Sequence, residues 1–345
     1  MAHRALPPRF RRSPGSRTGC RYSVGAVTPT KVAAQTLEEV VLRINAVHGT
    51  TLSLTGRFGA GEQGAYRLRD AAGAQFVLKW SPGERGVGRL PAVVPTLDCL
   101  RERGYPIPRY TVFGVLRAPQ GRYSVQELLP GESVWDAAQS VVDDALALNA
   151  LQAGRAAHLA LGRRYRGVAY PPWCKLLPRL ARRGGNGFCH LRAMRAYSPE
   201  AARLLATIQA FIADHADRLA AVPATDVVHF DFGGHNILVH EGRITGVVDW
   251  EGLVPGDRAF DLATFLFYDG YYARVAPTRE RLWSHALELV DAATLGVYLC
   301  HMAHREADWS IRHHGPATVA EVLDVCDAVL TDVARRSGYP VRAWR

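Results

Sequence analysis

The sequence lacks any long uninterrupted run of apolar residues. Its apolar stretches, such as residues 263–266, are short, whereas a membrane-spanning helix needs about 20 consecutive apolar residues. Residues 1–30 also contain no apolar run of the roughly 7–15 residues that a secretory signal requires. We therefore expect no membrane span and a cytoplasmic protein.

Paired cysteines are also absent. The six cysteines are scattered along the chain, and no two of them form a C-x-x-C pair. In a chain of 345 residues, this spacing is typical of reduced intracellular thiols and not of a disulfide framework or a zinc site.

Lysine is scarce, although the net charge is +10. The only lysines are Lys31, Lys79 and Lys175, and every other basic residue counted in that charge is an arginine. This bias is typical of a GC-rich genome, and a basic charge alone is weak evidence for nucleic-acid binding. We therefore do not expect a nucleic-acid partner. Residues 1–30 hold six arginines and no acid, so we predict a disordered basic tail over residues 1–34.

Apolar periodicity divides the rest of the chain into two regions. The first region, residues 35–130, is predicted to form a helix, three strands, a second helix and two more strands. From residue 131 onward helical patterns dominate, interrupted by a β-hairpin over residues 237–248; the predicted helices span residues 143–161, 199–219, 258–267, 280–300 and 317–335. The sequence therefore predicts an α+β fold with a small antiparallel N-lobe (35–130) and a larger, mainly helical C-lobe (131–345).

The most informative stretch is VVHFDFGGHNILVHEGRITGVVD, residues 227–249. A strand, a tight turn and a second strand connect Asn236 to Asp249, so a hairpin would place these two side chains next to each other. Carboxylate and amide oxygens are ligands that Mg²⁺ accepts. Asp231 precedes this pair, and its carboxylate could accept a proton from an alcohol. Phosphoryl transfer requires this combination of groups.

Three ordered motifs in this part of the chain resemble those of aminoglycoside phosphotransferases and choline kinase-like enzymes. The run HFDFGGHN resembles the catalytic loop H-x-D-x-x-x-x-N, VVDWE resembles the metal-binding strand end, and GDRAFDLA resembles a G-D-P-x-x-D-L-A segment. The resemblance implies the protein-kinase-like fold, ATP and Mg²⁺ as cofactors, and transfer of phosphate to a hydroxyl of a small molecule. It also implies roles for individual residues. Asp231 would be the base, Asn236 and Asp249 would hold the metal, His229 would support the metal-bearing loop, and Asp261 would tie down the catalytic loop.

The N-lobe should then bind ATP. Lys79 lies in the middle of the third strand and is the candidate for contacting the phosphates. The glycine-rich loop of residues 56–64 includes Gly59 and Gly61, and glycine permits close approach of the backbone to phosphates. By resemblance, the linker that contains Gln126 and Leu128 would present backbone groups to adenine.

One position departs from the expected pattern. Kinase-like enzymes pair the strand lysine with a glutamate on the next helix, and that position is occupied here by Val93. Which acid pairs with Lys79 stays open at this point. The departure keeps an alternative open, in which the protein is a catalytically silent nucleotide-binding pseudokinase or scaffold.

The acceptor cannot be identified from the sequence. The family's acceptors include aminoglycosides and other antibiotics, so that antibiotic resistance is one hypothesis, and metabolite alcohols, so that a housekeeping kinase is another. The aromatic and acidic residues after Asp261 fit either an acceptor pocket or core packing; they are Tyr268, Asp269, Tyr271, Tyr272 and the pair Asp308-Trp309. The histidines of the last helices fit a metal site less well than ordinary helix-surface and loop positions; they are His301, His304, His313 and His314.

Overall fold

The structure is a computed structural model that describes residues 34–58, 64–85, 88–133, 139–158, 164–165, 168–169, 172–185 and 188–340. Of the predicted basic tail, only Ala34 lies within these ranges. Among the described residues, no helix is long and apolar enough to cross a membrane.

The N-lobe is a five-stranded antiparallel sheet with one helix before it and one inserted into it. Its elements are α1 (Ala34–His48), β1 (Ser53–Arg57), β2 (Gly64–Arg69), β3 (Gln75–Pro82), α2 (Leu90–Arg101), β4 (Tyr110–Arg117) and β5 (Gln120–Glu127). The strand order in the sheet is β1-β2-β3-β5-β4. This central position of β3 brings Lys79 to the middle of the sheet, directly opposite Ser124 of β5.

A small apolar core joins α1 to this sheet. Val40 and Ile44 of α1 are fully buried. On β3, Leu78 is fully buried and Trp80 is nearly fully buried. The apolar residues of α1 recur at the three- and four-residue spacing of one helix face, so that face covers the outer side of the sheet. Since side chains alternate between the two faces of a strand, burial of Leu78 and Trp80 on this side directs Lys79 to the opposite side, towards the C-lobe.

The C-lobe is mainly helical and contains several short strands. Its helices are α3 (Gln139–Leu151), α4 (Trp173–Arg183), α5 (Leu191–Tyr197), α6 (Pro199–Asp214), α7 (Ala216–Ala220), α8 (Ala259–Phe265), α9 (Ala276–Leu287), α10 (Ala292–His313) and α11 (Pro316–Ser337). A π-helical segment, Leu266–Tyr272, follows α8. Its strands are β6 (Glu132–Ser133), β7 (Arg164–Tyr165), β8 (Val168–Ala169), β9 (Asp226–Val228), β10 (Ile237–His240), β11 (Arg243–Val247) and β12 (Val254–Gly256). The hairpin of β10 and β11 extends into a three-stranded sheet with β6, whereas β9 pairs with β12.

Helix α2 packs with the C-lobe although it is inserted in the N-lobe sheet. Its buried residues, Leu90, Val93, Leu97 and Leu100, belong to the large apolar core of the C-lobe and not to the core beneath α1. Arg89, just before α2, donates hydrogen bonds to the backbone carbonyls of Glu251 and Leu253. The helix is therefore attached to the lobe that contains the three motifs singled out in the sequence.

The predicted fold class, a two-lobed α+β architecture, is confirmed, but several predicted helix boundaries were wrong. The single helix expected over residues 280–300 is two helices, because Asp291 begins α10 by accepting a hydrogen bond from the amide of Thr294 at 2.7 Å. Aspartate is a favoured N-cap residue, so the sequence contained this signal. The helix expected over residues 143–161 ends at Leu151, and that expected over residues 199–219 breaks after Asp214.

Helix α10 buries two histidines that were predicted to lie on a helix surface. His301 is 1% and His304 is 0% exposed, and the His301 ring lies against Phe230 and Phe260. Burial lowers the pKa of both imidazoles, that of His304 to about 4, so both are neutral at pH 7. Among the described residues, no group of three or more His, Cys, Asp and Glu side chains could hold a metal ion.

The attachment of α2 to the C-lobe core predicts a large stability cost for truncating its central leucine. We expect Leu97→Ala to lower the free energy of unfolding by about 2–5 kcal/mol, because it leaves a cavity in a fully buried site. The matched control is Leu42→Ala on α1, where the leucine is 67% exposed and the expected change is below about 0.5 kcal/mol. Denaturant unfolding measures both, and equal losses would contradict this packing.

The burial of His304 predicts a specific pH dependence of stability. Its pKa in the folded protein, about 4, lies below the value of about 6.5 expected in the unfolded chain. The unfolded state therefore binds the proton first, and stability falls as the pH drops from about 6.5 towards 4. His304→Leu should remove about 3 kcal/mol of this loss between pH 7 and pH 4, measured by denaturant unfolding across that range. The exposed His240, changed in the same way, controls for the general effect of replacing a histidine by leucine. A His304→Leu profile parallel to that of the unaltered protein would refute the assignment.

Candidate active site

A buried carboxylate from α8 fixes the backbone of the loop between β9 and β10. Oδ2 of Asp261 accepts hydrogen bonds from the His229 amide and from Nε2 of Gln152, both at 2.7 Å, and Oδ1 accepts from the Phe230 amide at 3.0 Å. Burial raises the pKa of Asp261 to about 7, against the lowering effect of these three N–H donors. Residues 229–230, just before Asp231, are therefore held from the helix that follows in the chain.

Two residues in the site adopt the left-handed backbone conformation that non-glycine residues rarely take. Phe230 has φ +71°, immediately before Asp231, and Asp249 has φ +67° at the end of the β-hairpin. Such conformations cost about 1–3 kcal/mol each and persist when the surrounding structure fixes them. At Phe230 the fixing contacts are visible, since its amide is bound by Asp261 and its carbonyl by Arg305 at 2.8 Å.

The carboxylate of Asp231 is surrounded by hydrogen-bond donors. Nη2 of Arg305 donates to Oδ1 at 2.7 Å, and Nδ2 of Asn236 donates to Oδ2 at 3.1 Å. Nε2 of His235 lies 3.3 Å from Oδ1. Although burial acts in the opposite direction, the Arg305 guanidinium and the His235 ring hold the pKa of Asp231 far below its usual range. Asp231 is therefore an ionised carboxylate at neutral pH, and about a quarter of its side chain, 27%, is exposed.

His229 connects the loop to the residue before Asp249. Its Nε2 lies 2.8 Å from the carbonyl oxygen of Val248, and its Nδ1 accepts a hydrogen bond from the Asp231 amide at 3.2 Å. This arrangement requires the neutral imidazole with the proton on Nε2. Burial lowers the pKa of His229 to about 4, which is consistent with that form.

The hairpin brings Asn236 and Asp249 to the same end. Ile237 pairs with Val247, and the Val248 amide donates to the carbonyl of Asn236 at 2.9 Å. The two side chains differ in exposure, since Asn236 is 6% exposed whereas the Asp249 side chain is 47% exposed. With Asp231, which Asn236 contacts, the loop and the hairpin thus carry three side chains with oxygen atoms that could bind a cation.

Lys79 pairs with Asp249 across the two lobes. The distance between Nζ of Lys79 and Oδ1 of Asp249 is 2.9 Å, and the lysine lowers the pKa of the carboxyl group. No acid of α2 takes part, because Val93 is fully buried in the core and Asp98 pairs with Arg101. Asp249 is therefore the acid that pairs with Lys79 in this structure. A second ion pair, between Arg122 and Glu251 at 3.3 Å, lies nearby.

The linker after β5 differs from the expected arrangement. Gln126 lies inside the sheet opposite Val77 and is 2% exposed. The amide of Leu128 donates to the carbonyl of Gln75 at 3.2 Å, and the Glu127 amide donates to that of Arg109 at 2.9 Å. Both amides thus form hydrogen bonds with neighbouring segments. The Leu129 amide, in contrast, has no hydrogen-bond acceptor among the described residues. Gly59 and Gly61 lie outside the described residues, between β1 and β2.

One of the three tyrosines after α8 borders Asp231. The hydroxyl of Tyr268 donates to Glu306 at 2.5 Å, and its ring meets that of His235 edge-on, with centroids 4.9 Å apart. Tyr271 instead bonds to Asp332 and accepts a hydrogen bond from Trp283, so it belongs to the packing of α9 and α11.

Sequence reasoning did not single out Arg305 or His235. His235 lies within the recognised loop, so its proximity to Asp231 could have been inferred from the local turn. Arg305 lies 74 positions after Asp231, in a chain where arginine is the common cation, and no local signal marks it. Its contact with Asp231 depends on how α10 packs against the loop.

A model of the APH phosphotransferase enzyme family matches residues 56–295. The hygromycin-B 4-O-kinase of Escherichia coli is 28% identical over 120 residues, which are 32% of this chain and 35% of that enzyme. The chain thus matches about a third of that relative's length.

Solved structures share the fold at low sequence identity. The aminoglycoside phosphotransferase APH(4)-Ia, in a ternary complex with AMP-PNP and hygromycin B, superposes with a TM-score of 0.60 at 17% identity, covering 88% of this chain and 99% of that one. The amicoumacin kinase hAmiN, in a complex with AMP-PNP and Ca²⁺, gives a TM-score of 0.59 at 14% identity, covering 86% and 93%. Since the family match extends over well over half of the sequence, the chain belongs to the APH phosphotransferase enzyme family.

Proposed function

We propose that this protein transfers the γ-phosphate of ATP to a hydroxyl group of a small molecule. The observation that carries the proposal is a pair of contacts: Asn236 donates to Asp231, and Lys79 contacts Asp249 across the lobes, at the two ends of one loop and hairpin. Phosphoryl transfer needs positioning and charge stabilisation more than covalent chemistry, and these side chains are suited to both.

The donor set fits ATP with Mg²⁺. Asp249 and Asn236 would contribute oxygens, which a hard cation such as Mg²⁺ prefers, and the Asp249 side chain is half exposed beside Lys79. Mg²⁺ would neutralise charge on the phosphates, and Lys79 would contact them. The relatives with solved structures bind AMP-PNP, which supports ATP as the donor. For adenine, we infer a contact with the unused amide of Leu129 in place of Leu128.

Asp231 would accept the proton of the acceptor hydroxyl. The acceptor oxygen forms a bond to the γ-phosphorus, the bond from that phosphorus to the bridging oxygen breaks, and the electron pair leaves with ADP. The proton passes to the Asp231 carboxylate, which is ionised in this structure and accepts only one contact on Oδ2 from the described residues. A base must be within hydrogen-bond reach of the proton it removes, and the exposed part of Asp231 allows that approach.

The acceptor class is proposed from the named relatives. An aminoglycoside such as hygromycin B is the first candidate, which would make the protein an antibiotic-resistance enzyme; another antibiotic or a metabolite alcohol is the next. The free cysteines among the described residues and the use of ATP fit a cytoplasmic location.

A catalytically silent nucleotide-binding protein is the alternative. The missing helix glutamate favoured it, but Lys79 has Asp249 as its partner. Magnesium-dependent ATP consumption against a panel of hydroxyl acceptors separates the two proposals. ATP binding without turnover on any acceptor supports the silent protein.

The role proposed for Asp231 predicts a loss of catalysis without loss of nucleotide binding. Asp231→Asn keeps the shape of the side chain but removes the proton acceptor, so acceptor-dependent turnover should fall by at least ~10²-fold. The dissociation constant for ATP with Mg²⁺, measured by calorimetry, should stay within about threefold. The control is Asp217→Asn on the exposed surface of α7, which should behave as the unaltered protein does. Retained turnover in Asp231→Asn would remove Asp231 as the base.

The role proposed for Asp249 predicts a magnesium-dependent binding defect. Asp249→Asn removes a charged oxygen ligand, so ATP affinity with Mg²⁺ should fall by about tenfold or more. In EDTA the unaltered protein and the variant should bind ATP about equally. Equal losses in both buffers would assign Asp249 a role in folding instead of metal binding.

A further inference from the structure

Arg305 makes a buried connection between α10 and the loop that contains Asp231. Its side chain is 6% exposed, and it enters the site from the helix that packs beside the loop. Burial of a guanidinium group is unfavourable unless hydrogen bonds and opposite charges compensate it. The contacts of Arg305 therefore indicate the structural role of its charge.

The guanidinium donates to two successive groups of the catalytic loop. Nη1 bonds to the carbonyl oxygen of Phe230 at 2.8 Å, and Nη2 bonds to Oδ1 of Asp231 at 2.7 Å. One planar fork thus fixes the backbone just before Asp231 and the direction of its carboxylate together. Within the part of the chain that the structure describes, Oδ2 then accepts one hydrogen bond, from Asn236.

This fork completes the restraint on the left-handed Phe230. Asp261 accepts a hydrogen bond from the amide of Phe230, and Arg305 donates one to its carbonyl, so both sides of the residue are bound by buried polar side chains. A bulky residue at φ +71° is strained and stays there only when its neighbours fix it. Without Arg305, the peptide that leads into Asp231 would be held on one side only.

The surroundings of Arg305 favour arginine over lysine. The ring of Phe188 lies 4.3 Å below the guanidinium carbon, and the carboxylate of Glu306 lies 3.7 Å from Nε. Stacking on an aromatic ring and donation along two directions are properties of the planar guanidinium group. A lysine ammonium is a compact charge that cannot reproduce both.

We propose that Arg305 is a positioning residue for phosphoryl transfer, which acts by fixing the Phe230 peptide and the Asp231 carboxylate so that Oδ2 faces the acceptor hydroxyl. This proposal rests on the role proposed above for Asp231 as the base. Helix α10, which lies outside the recognised motifs, would then contribute to catalysis indirectly, through the Phe230 peptide and Asp231.

Kinetics of two substitutions test the proposal. Arg305→Lys keeps the charge but loses the fork, and Arg305→Met loses both. We expect kcat of Arg305→Met to fall by about 100-fold, since small misplacements of a catalytic group have effects of that size. The kcat of Arg305→Lys should be intermediate between those of Arg305→Met and the unaltered protein. The KM for ATP should change by less than about threefold in both. The matched control is Arg312→Lys on the same helix, where the arginine pairs with Asp308 and not with the loop; its kcat should not change.

Two kinetic outcomes would overturn the proposal. One is a kcat of Arg305→Met within about threefold of the unaltered enzyme. The other is a parallel loss of kcat, ATP affinity and melting temperature in both variants, because that pattern marks a residue needed only for folding.

Crystal structures of the unaltered protein and Arg305→Met decide the point independently of activity. We expect the Asp231 carboxylate of the variant to move by about 1 Å or more and Phe230 to leave the left-handed region. An unmoved Asp231 refutes the proposal whatever the kinetics show. Absence of acceptor-dependent turnover in the unaltered protein would count against the proposed function alone, and this structural comparison would still decide the role of Arg305.

Discussion

The hydrogen bonds that the amides of His229 and Phe230 donate to the Asp261 carboxylate are the interaction on which the rest of the site depends. A carboxylate at 0% exposure is costly to bury unless its lone pairs are satisfied, and three N–H groups satisfy those of Asp261. Two of the three donors are backbone amides of a loop that has no regular secondary structure to pair with. The carboxylate therefore takes the place that a neighbouring strand would have in a sheet, and it fixes the position from which Asp231 extends.

His229 extends this restraint to the end of the hairpin where Asp249, the proposed metal ligand, lies. Its amide is held by Asp261, and its ring contacts both the Asp231 amide and the Val248 carbonyl. Since Val248 precedes the left-handed Asp249, one buried imidazole sets the distance between the proposed base and the proposed metal ligand. A protonated imidazole could not accept the Asp231 amide, so the low pKa that burial gives His229 is a condition for this geometry.

The sequence predicted the parts of the site that are close together in the chain. Asp231, Asn236 and Asp249 are separated by one loop and one hairpin, and a hairpin brings its ends together whatever the rest of the fold does. Lys79 could also be placed, because it lies in the middle of an apolar strand. Arg305 could not, since its contact with Asp231 depends on the packing of α10 against the loop. Which amides of the linker are free for a ligand could not be predicted for a related reason. It depends on the neighbouring segments, since the carbonyls of Gln75 and Arg109 accept the amides of Leu128 and Glu127.

The absence of a glutamate on α2 is explained by how that helix is held. In kinase-like enzymes the lysine–glutamate pair links a helix of the N-lobe to the nucleotide site, which is useful when the helix can move away. Here the apolar face of α2 is part of the C-lobe core, and Arg89 bonds to two carbonyls just after Asp249. A lysine–glutamate pair would add little to a helix already held by this packing. Val93 in that position instead contributes an apolar side chain to the core, and Lys79 pairs with Asp249. The charge of Lys79 is thereby directed to the residue beside which the phosphates are proposed to bind.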